Sequence, residues 1–117
     1  MISTHKNLAA IGIDVVEIKR IKNILNNKTG RRSKIFFTEK ETAYYSSHSN
    51  KAPHFAGIFA AKEAISKALG VKKYPFTQIE IRHNKNGAPV PYFKNKKLQV
   101  TVSITHTKDL AIAIAAA

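Results

Sequence analysis

Residues 55–70, with the sequence FAGIFAAKEAISKALG, decide the fold because their composition predicts a helix around which the other elements can be placed. Alanine and lysine recur along the stretch, and both are strong helix formers. Pro53 stands just upstream, where it suits the first turn of a helix. Gly70 ends the pattern, as a glycine commonly ends a helix. We therefore expect a helix that stops at Gly70.

One face of this helix carries small side chains together with one acid and one base. At 3.6 residues per turn the face contains Ala56, Ala60, Glu63, Lys67 and Gly70. Its small side chains leave room for another group to lie against the helix. Glu63 and Lys67 fit an exposed i,i+4 ion pair, worth about 0.2–0.5 kcal/mol. They also fit an acid that binds a divalent metal beside a lysine that binds a phosphate.

The N-terminal stretch IGIDVVEI (11–18) places a carboxylate, Asp14, among apolar residues. Residues 9–15 predict a strand, and from Val16 the apolar spacing is helical. Asp14 and Glu17 have capping-box spacing, and such a cap is worth about 1 kcal/mol. A buried carboxylate with no cap, cation or metal would cost several kcal/mol. Asp14 therefore requires one of the three.

The order of the remaining elements predicts an α+β fold. Thr38 and Glu41 also have capping-box spacing, so a second helix begins near Glu39. Beyond Gly70 the pattern alternates, which predicts strands. The predicted strands cover 76–83, 97–104 and 110–117, with a turn at 84–91. An N-terminal strand, three helices and then antiparallel strands are typical of α+β proteins.

The last predicted strand, LAIAIAAA, is apolar on both faces. Leu110, Ile112 and Ile114 lie on one face, and Ala111, Ala113 and Ala115 lie on the other. Such a strand is usually buried on both sides. In so short a chain, the second cover is either another subunit or a helix of the same chain.

Composition indicates one basic domain spanning 1–117, and the lack of cysteine is compatible with a reducing compartment. The chain has 117 residues, no cysteine, 20 Lys plus Arg and 7 Asp plus Glu. We expect a soluble, cytoplasmic protein whose partner is anionic: nucleic acid, a membrane surface, a phosphorylated small molecule or an acidic protein. Seven bases and no acid lie between Lys19 and Lys34, which fits either a solvated face or the docking surface for an acidic partner.

The residue types also suggest chemistry. Aspartate and glutamate oxygens, many bases and no cysteine are typical of a Mg²⁺–phosphate site, to which the protein supplies one or two carboxylates. His106, at a predicted strand end before a tight turn, fits an ordinary turn residue. It fits equally a donor to a phosphate or a proton shuttle near neutral pH.

Taken together, these pieces resemble holo-acyl-carrier-protein synthase, the small bacterial type of 4′-phosphopantetheinyl transferase. The matching stretches are GIDVVEIKRI (12–21), FTEKE (37–41), FAAKEAISKALG (59–70), IEI (79–81), NGAP (86–89) and SITHTKDLAIAIA (103–115). They stand in the family's order across nearly the whole chain. The resemblance implies that family's fold.

The resemblance implies a reaction in fatty acid biosynthesis, in which a serine of apo acyl carrier protein attacks the β-phosphate of coenzyme A. Phosphopantetheine moves to the serine, and 3′,5′-ADP leaves. Asp14 and Glu63 would hold Mg²⁺, Lys67 would contact a phosphate, and His106 would also be catalytic. The serine proton would pass to Glu63 through a water or, as the second choice, to His106. The implied coenzyme A contacts are Lys62, Ser66, Lys67, Gly87, Pro89, His106 and Thr107.

The resemblance also implies partners. Arg20 matches a position used for docking the acidic carrier protein, and Lys19, Lys22, Arg31 and Arg32 extend that basic surface. The family forms three-fold homotrimers with coenzyme A in clefts between neighbours, which agrees with the two-sided final strand. Neither nucleic acid nor membrane is implied.

Two departures affect coenzyme A binding rather than the metal pair. Ile58 stands where the family usually has arginine, so that contact is missing, and a nearby lysine is the expected substitute. Gly70-Val71-Lys72 replaces a frequent Gly-Thr-Gly.

Two rival functions remain. The first is a small nucleic-acid-binding domain, which the charge favours but which lacks an RNA-recognition aromatic motif, zinc-finger spacing and a GxxG loop. The second is a non-catalytic subunit that binds the carrier protein, against which the presence of both acids argues.

Overall fold

A computed structural model describes residues 10–26, 36–71 and 77–117. Strand β1 (Ile11–Glu17) runs directly into helix α1 (Ile18–Leu25), and helices α2 (Glu39–Ser46) and α3 (Lys51–Leu69) follow. The later strands of the described residues are β2 (Ile79–His83), β3 (Pro89–Phe93), β4 (Lys96–Lys97), β5 (Thr101–His106) and β6 (Leu110–Ala116). The predicted α+β order is confirmed.

Two antiparallel sheets organise these strands. The first has the order β1-β6-β5, and the second has the order β2-β3-β4. In the first sheet Asp14 is paired with Ala113, and Glu17 is paired with Leu110 at the end of the ladder. Asp14 therefore lies in the middle of a strand. None of the helices in the described part of the chain is long and apolar enough to cross a membrane.

Helix α3 covers one face of the first sheet at very short range. The sheet presents Ala111, Ala113 and Ala115 to the core, and all three are fully buried. At Gly12, a Cβ atom would lie 1.9 Å from the Ala64 carbonyl oxygen of α3, so only glycine permits this approach. The close packing brings the second half of α3 against β1.

The opposite face of the first sheet remains open to solvent. Ile11, Ile13 and Val15 of β1 are 65%, 55% and 54% exposed, and Ile114 of β6 is 43% exposed. Scattered exposed apolar residues are ordinary, but a contiguous apolar sheet face marks an interaction surface. Within the described residues, α3 covers only the alanine face.

The sequence signals for the start of α2 and for both ends of α3 are confirmed. Thr38 accepts a hydrogen bond from the Glu41 backbone N–H at 3.3 Å, and the Thr38 N–H donates to Glu41 Oε1 at 2.9 Å. This confirms the capping box at the start of α2. Pro53 lies in the first turn of α3, and Gly70 ends that helix in the left-handed region at φ 69°. A Cβ-bearing residue would be strained there.

Several boundaries predicted from the sequence are wrong. Residues 84–91 are not all turn, because Pro89 and Pro91 lie within β3. The stretch 97–104 is not one strand, since the chain leaves the second sheet after Lys97 and enters the first at Thr101. The strand expected to end at 15 continues to Glu17, so α1 begins at Ile18 with Glu17 as its N-cap, and Asp14 does not cap it. Of the strand expected at 76–83, residue 76 lies outside the described residues, residues 77 and 78 form a turn, and the strand begins at Ile79.

Candidate active site

The two acids singled out in the sequence line one cavity. It has a volume of about 320 Å³, and its charged lining residues are Asp14, Glu17, Arg20 and Glu63. β1, α1 and α3 each contribute to it, because α1 follows β1 without a loop and α3 packs directly on β1. The close approach at Gly12 thus brings together two carboxylates that are far apart in the chain.

Asp14 has a cation as its partner. Lys67 donates from Nζ to Asp14 Oδ1 at 3.3 Å and to the Ile13 carbonyl oxygen at 2.9 Å. The Asp14 side chain is 17% exposed, whereas that of Lys67 is 55% exposed. Of the three possibilities for Asp14, the structure excludes the cap and shows the cation. A metal ion would be an additional partner for the carboxylate.

Glu63 experiences the negative charge of Asp14. Burial is the main cause that raises the pKa of Glu63, the charge of Asp14 raises it further, and Lys67 partly lowers it. A partly buried carboxylate beside a second negative charge provides a favourable place for a cation. The donor set fits Mg²⁺, which takes one or two protein carboxylates and fills its remaining positions with water and substrate phosphate. No group of three or more His, Cys, Asp or Glu in residues 10–26, 36–71 and 77–117 could hold a metal unaided.

Lys62, the neighbour of Glu63, points into the protein instead. Its side chain is fully buried and forms an ion pair with Glu41, with Nζ 2.5 Å from Oε1. Lys62 Nζ also donates to the Phe36 carbonyl oxygen, and the Ile81 N–H donates to Glu41 Oε2 at 2.7 Å. This ion pair ties α2, α3 and β2 together. The structure therefore does not bring Lys62 to a position where it could contact coenzyme A.

Two hydroxyls expected to contact coenzyme A have partners within the chain. Ser66 Oγ donates to the Val71 carbonyl oxygen beyond the end of α3. Thr107 Oγ1 accepts from the backbone N–H groups of Asp109 and Leu110, at 3.2 and 3.1 Å. Thr107 thus closes the turn between β5 and β6, and it remains exposed.

Three other predicted contacts meet at a second cavity. Gly87, Pro89 and His106 line a space of about 190 Å³ together with Tyr44, His54 and His83. The two cavities share no lining residue. Sequence analysis missed the last three residues, because they come from α2, α3 and β2 and share no spacing. Ile58, at the position of the usual arginine, is buried and also lines this cavity.

The basic residues predicted to dock a partner lie partly within the described chain. Lys19, Arg20 and Lys22 are exposed on α1. Arg20 also lines the cavity that holds the two acids. Arg31 and Arg32 lie outside the described residues.

Comparisons with known proteins agree on one family. Residues 10–115 match the model described as the 4′-phosphopantetheinyl transferase superfamily. The holo-[acyl-carrier-protein] synthase of Caldanaerobacter subterraneus is 37% identical, with 92% of each chain covered. That of Thermodesulfovibrio yellowstonii is 40% identical over 91% of this chain and 95% of its own.

Solved structures show the same fold. A holo-(acyl-carrier-protein) synthase from Bacillus anthracis, in complex with CoA (3′,5′-ADP), has a TM-score of 0.80 and 32% identity, covering 94% of this chain and 96% of its own. The Helicobacter pylori synthase, in complex with coenzyme A, has a TM-score of 0.81 and 30% identity, covering 92% and 99%.

Proposed function

The chain belongs to the 4′-phosphopantetheinyl transferase superfamily, and from this premise we propose that it is a holo-acyl-carrier-protein synthase. It transfers 4′-phosphopantetheine from coenzyme A to a serine of apo acyl carrier protein, in fatty acid biosynthesis. The other product is 3′,5′-ADP. The observation that carries this proposal is the shared cavity of Asp14 and Glu63, beside Lys67, in a chain that matches the family along most of its length.

We propose that the reaction depends on Mg²⁺ held by Asp14 and Glu63. When bound, the ion would offset charge on the diphosphate of coenzyme A. The raised pKa of Glu63, caused mainly by burial and further by the charge of Asp14, supports this assignment. The Lys67 ammonium, more than half exposed, can turn from Asp14 toward a phosphate oxygen and stabilise charge as it develops.

The side chains of this site orient the reactants more than they react themselves. Phosphoryl transfer needs alignment and charge neutralisation rather than a covalent enzyme intermediate. The serine hydroxyl must lose its proton, and our first choice of acceptor is Glu63, acting through a bridging water. His106, exposed at the end of β5, is the second choice.

We propose that the carrier protein docks on the exposed bases of α1. Arg20 is central, because it is exposed and also lines the cavity of the two acids. Lys19 and Lys22 extend the positive surface, and Arg31 and Arg32 follow along the chain. Carrier proteins of this kind are acidic, so opposite charges would steer their approach.

We also propose a homotrimer with active sites between subunits. Two observations support it: the exposed apolar face of the first sheet, and the absence of any lining residue common to the two cavities. One subunit would then supply Asp14 and Glu63, and its neighbour would supply His106, Gly87 and Pro89. Sedimentation should give the mass of three chains, whereas full activity in a monomer would contradict this arrangement.

The location and extent of the enzyme follow from the same proposal. Coenzyme A and carrier protein are cytoplasmic reactants, and we expect the whole chain to act in the cytoplasm as a single catalytic domain.

The direct test of the function is chromatographic detection of 3′,5′-ADP. We expect its release only when coenzyme A, Mg²⁺ and apo carrier protein are all present. Release without the carrier protein would indicate hydrolysis instead.

A further inference from the structure

The buried ion pair between Glu41 and Lys62 has no part in the proposed chemistry, although Lys62 directly precedes Glu63 in the chain. Both side chains are fully buried, and Lys62 Nζ lies 2.5 Å from Glu41 Oε1. Lysine and glutamate are almost never fully buried unless they are paired. A pair of this kind, one residue from a proposed metal ligand, therefore requires a physical explanation.

Glu41 is the centre of a hydrogen-bond network that joins three segments of the chain. Its Oε1 accepts from Lys62 Nζ and from the Thr38 N–H at 2.9 Å. Its Oε2 accepts from the Ile81 N–H at 2.7 Å. Lys62 Nζ also donates to the Phe36 carbonyl oxygen at 2.7 Å. The network thus fixes α3 against the start of α2 and against β2.

This ion pair contributes a defined arrangement more than it contributes stability. Taking two charges out of water is costly, and well-packed apolar residues of similar volume often stabilise a protein as much or more. The cost is visible here, because burial is the main cause that raises the pKa of Glu41 and lowers the pKa of Lys62. Apolar side chains lack the directional preference of hydrogen bonds. The pair therefore selects one arrangement of α2, α3 and β2.

The half of α3 that carries Glu63 has few large buried side chains to set its rotation about the helix axis. Between residues 60 and 68, the large side chains that are fully buried are Lys62 and Ile65, and the other buried ones are small. This half of α3 packs on the alanines of β6. Small side chains on both surfaces interdigitate little. The contacts of Lys62 are therefore a major determinant of how α3 is rotated.

Lys62 and Glu63 leave the helix in different directions from the same turn. Successive side chains of an α-helix point about 100° apart around its axis. Lys62 contacts Glu41 of α2, whereas Glu63 lines the cavity formed with β1 and α1. Because both residues share one rigid turn of backbone, a rotation of α3 that breaks the Lys62 contacts also moves Glu63 relative to Asp14.

We propose that Glu41 and Lys62 are positioning residues for Glu63. Their ion pair sets the rotation of α3 so that the Glu63 carboxylate reaches the cavity that it shares with Asp14. The inference rests on the proposed function, in which the two acids hold one Mg²⁺ ion. Glu41 and Lys62 touch no reactant, since both are fully buried, and they act through Glu63.

Calorimetric titration with coenzyme A, in Mg²⁺ and in EDTA and without carrier protein, tests this role. The ratio of the two Kd values measures the coupling between the metal and coenzyme A. In the unmodified protein we expect Mg²⁺ to tighten coenzyme A binding by about tenfold. No effect of Mg²⁺ in the unmodified protein would contradict the metal assignment and the positioning role that rests on it.

Glu41→Gln together with Lys62→Met removes both charges and retains side chains of similar size. This double variant should fold, yet Mg²⁺ should tighten its coenzyme A binding by less than about twofold. In EDTA its Kd should match that of the unmodified protein, because neither residue contacts coenzyme A. Mn²⁺ binding without coenzyme A, followed by electron paramagnetic resonance, should also weaken. Unchanged metal coupling in the folded double variant would overturn the proposal.

Ile79→Val controls for a general loss of stability. Ile79 is buried in β2, so its truncation should lower the Tm through a small cavity and leave the metal coupling unchanged. An equal loss of coupling in Ile79→Val would reduce the ion pair to an ordinary stabilising contact and overturn the proposal.

Glu41→Asp provides a second test if the double variant does not fold. It keeps both charges but shortens the carboxylate by one methylene, so it should fold and lose part of the metal coupling. A folded Glu41→Asp protein with unchanged coupling would overturn the positioning role.

The outcomes separate this inference from the transferase proposal. Transfer by the double variant with an unchanged Mg²⁺ dependence contradicts the positioning role alone. No transfer by the unmodified protein contradicts the proposed function, together with the positioning role that depends on it.

Discussion

Lys67 donates to Asp14 across the contact between α3 and β1, at 3.3 Å, and so joins the two segments that build the candidate site. Its second hydrogen bond, to the Ile13 carbonyl oxygen, holds the ammonium beside the strand. Lys67 also partly offsets the burial and the negative charge that raise the pKa of Glu63, so one side chain interacts with both acids. Lys67 can therefore pair with Asp14 in the free enzyme and with a phosphate oxygen when the substrate is bound.

Lys67→Met should impair catalysis much more than folding. The ion pair is largely exposed on the lysine side, so its loss should cost about 0–1 kcal/mol of unfolding free energy. We expect kcat/KM for coenzyme A to fall by about tenfold or more, because a charge that stabilises the transferred phosphate is lost. Lys108→Met, an exposed lysine outside both cavities, is the matched control. Equal kinetics in the two variants would remove Lys67 from the site.

Lys62 should be essential for folding rather than for binding coenzyme A. Lys62→Met leaves the Glu41 carboxylate buried without its cation, which typically costs about 3–5 kcal/mol. Glu41→Gln together with Lys62→Met removes both charges and should recover a substantial part of that loss in urea unfolding. A well-folded Lys62→Met protein with a raised KM for coenzyme A would restore Lys62 as a substrate contact.

The sequence predicts what depends on near neighbours and misses what depends on the tertiary fold. Thr38 and Glu41 form the expected capping box because that motif is local, and Gly70 ends α3 for the same reason. The ion pair between Glu41 and Lys62, which are 21 positions apart, could not be predicted from any sequence spacing. Asp14 and Glu17 have the correct spacing for a cap, but pairing with β6 keeps Asp14 extended.

The site residues that belong to a motif of the family could be predicted from the sequence. The resemblance led to Asp14 and Glu63, and the fold places them at one cavity. The packing of His48, His54, His83 and His106 beside the second cavity was not predictable, because these residues come from separate parts of the chain that meet only after the sheets form. The meeting of Gly87, Pro89 and His106 at a second cavity, separate from the cavity of the two acids, was likewise not predictable from the sequence.

Acid should destabilise the fold partly through His83. Its pKa is lowered from 6.5 to about 4, so the unfolded chain binds more protons between those values. Stability should therefore fall as the pH drops from about 6.5 toward 4, and His83 should account for about 1 kcal/mol once solvent screening is allowed for. Urea unfolding at pH 4.5 and 7.5 measures this, and His83→Gln should narrow the difference. An unchanged difference would place the acid sensitivity elsewhere.

Arg20→Ala should weaken use of the carrier protein without affecting coenzyme A. Arg20 is exposed on α1 beside the cavity of the two acids, where an acidic partner would approach. We expect the KM for carrier protein to rise several-fold and its salt dependence to become shallower, since one attractive charge is removed. Lys40→Ala, an exposed base on α2, serves for comparison. Unaltered carrier-protein kinetics would exclude Arg20 from docking.

Intact-mass spectrometry of apo carrier protein, incubated with coenzyme A, Mg²⁺ and this protein, tests the central claim most directly. The unmodified protein should add the mass of one phosphopantetheinyl group to the carrier. Glu63→Gln should add none, although removing the repelling carboxylate should raise its Tm and abolish any Tm gain on adding Mg²⁺. A carrier that gains no mass with the unmodified protein, or gains it equally with Glu63→Gln, would contradict the account.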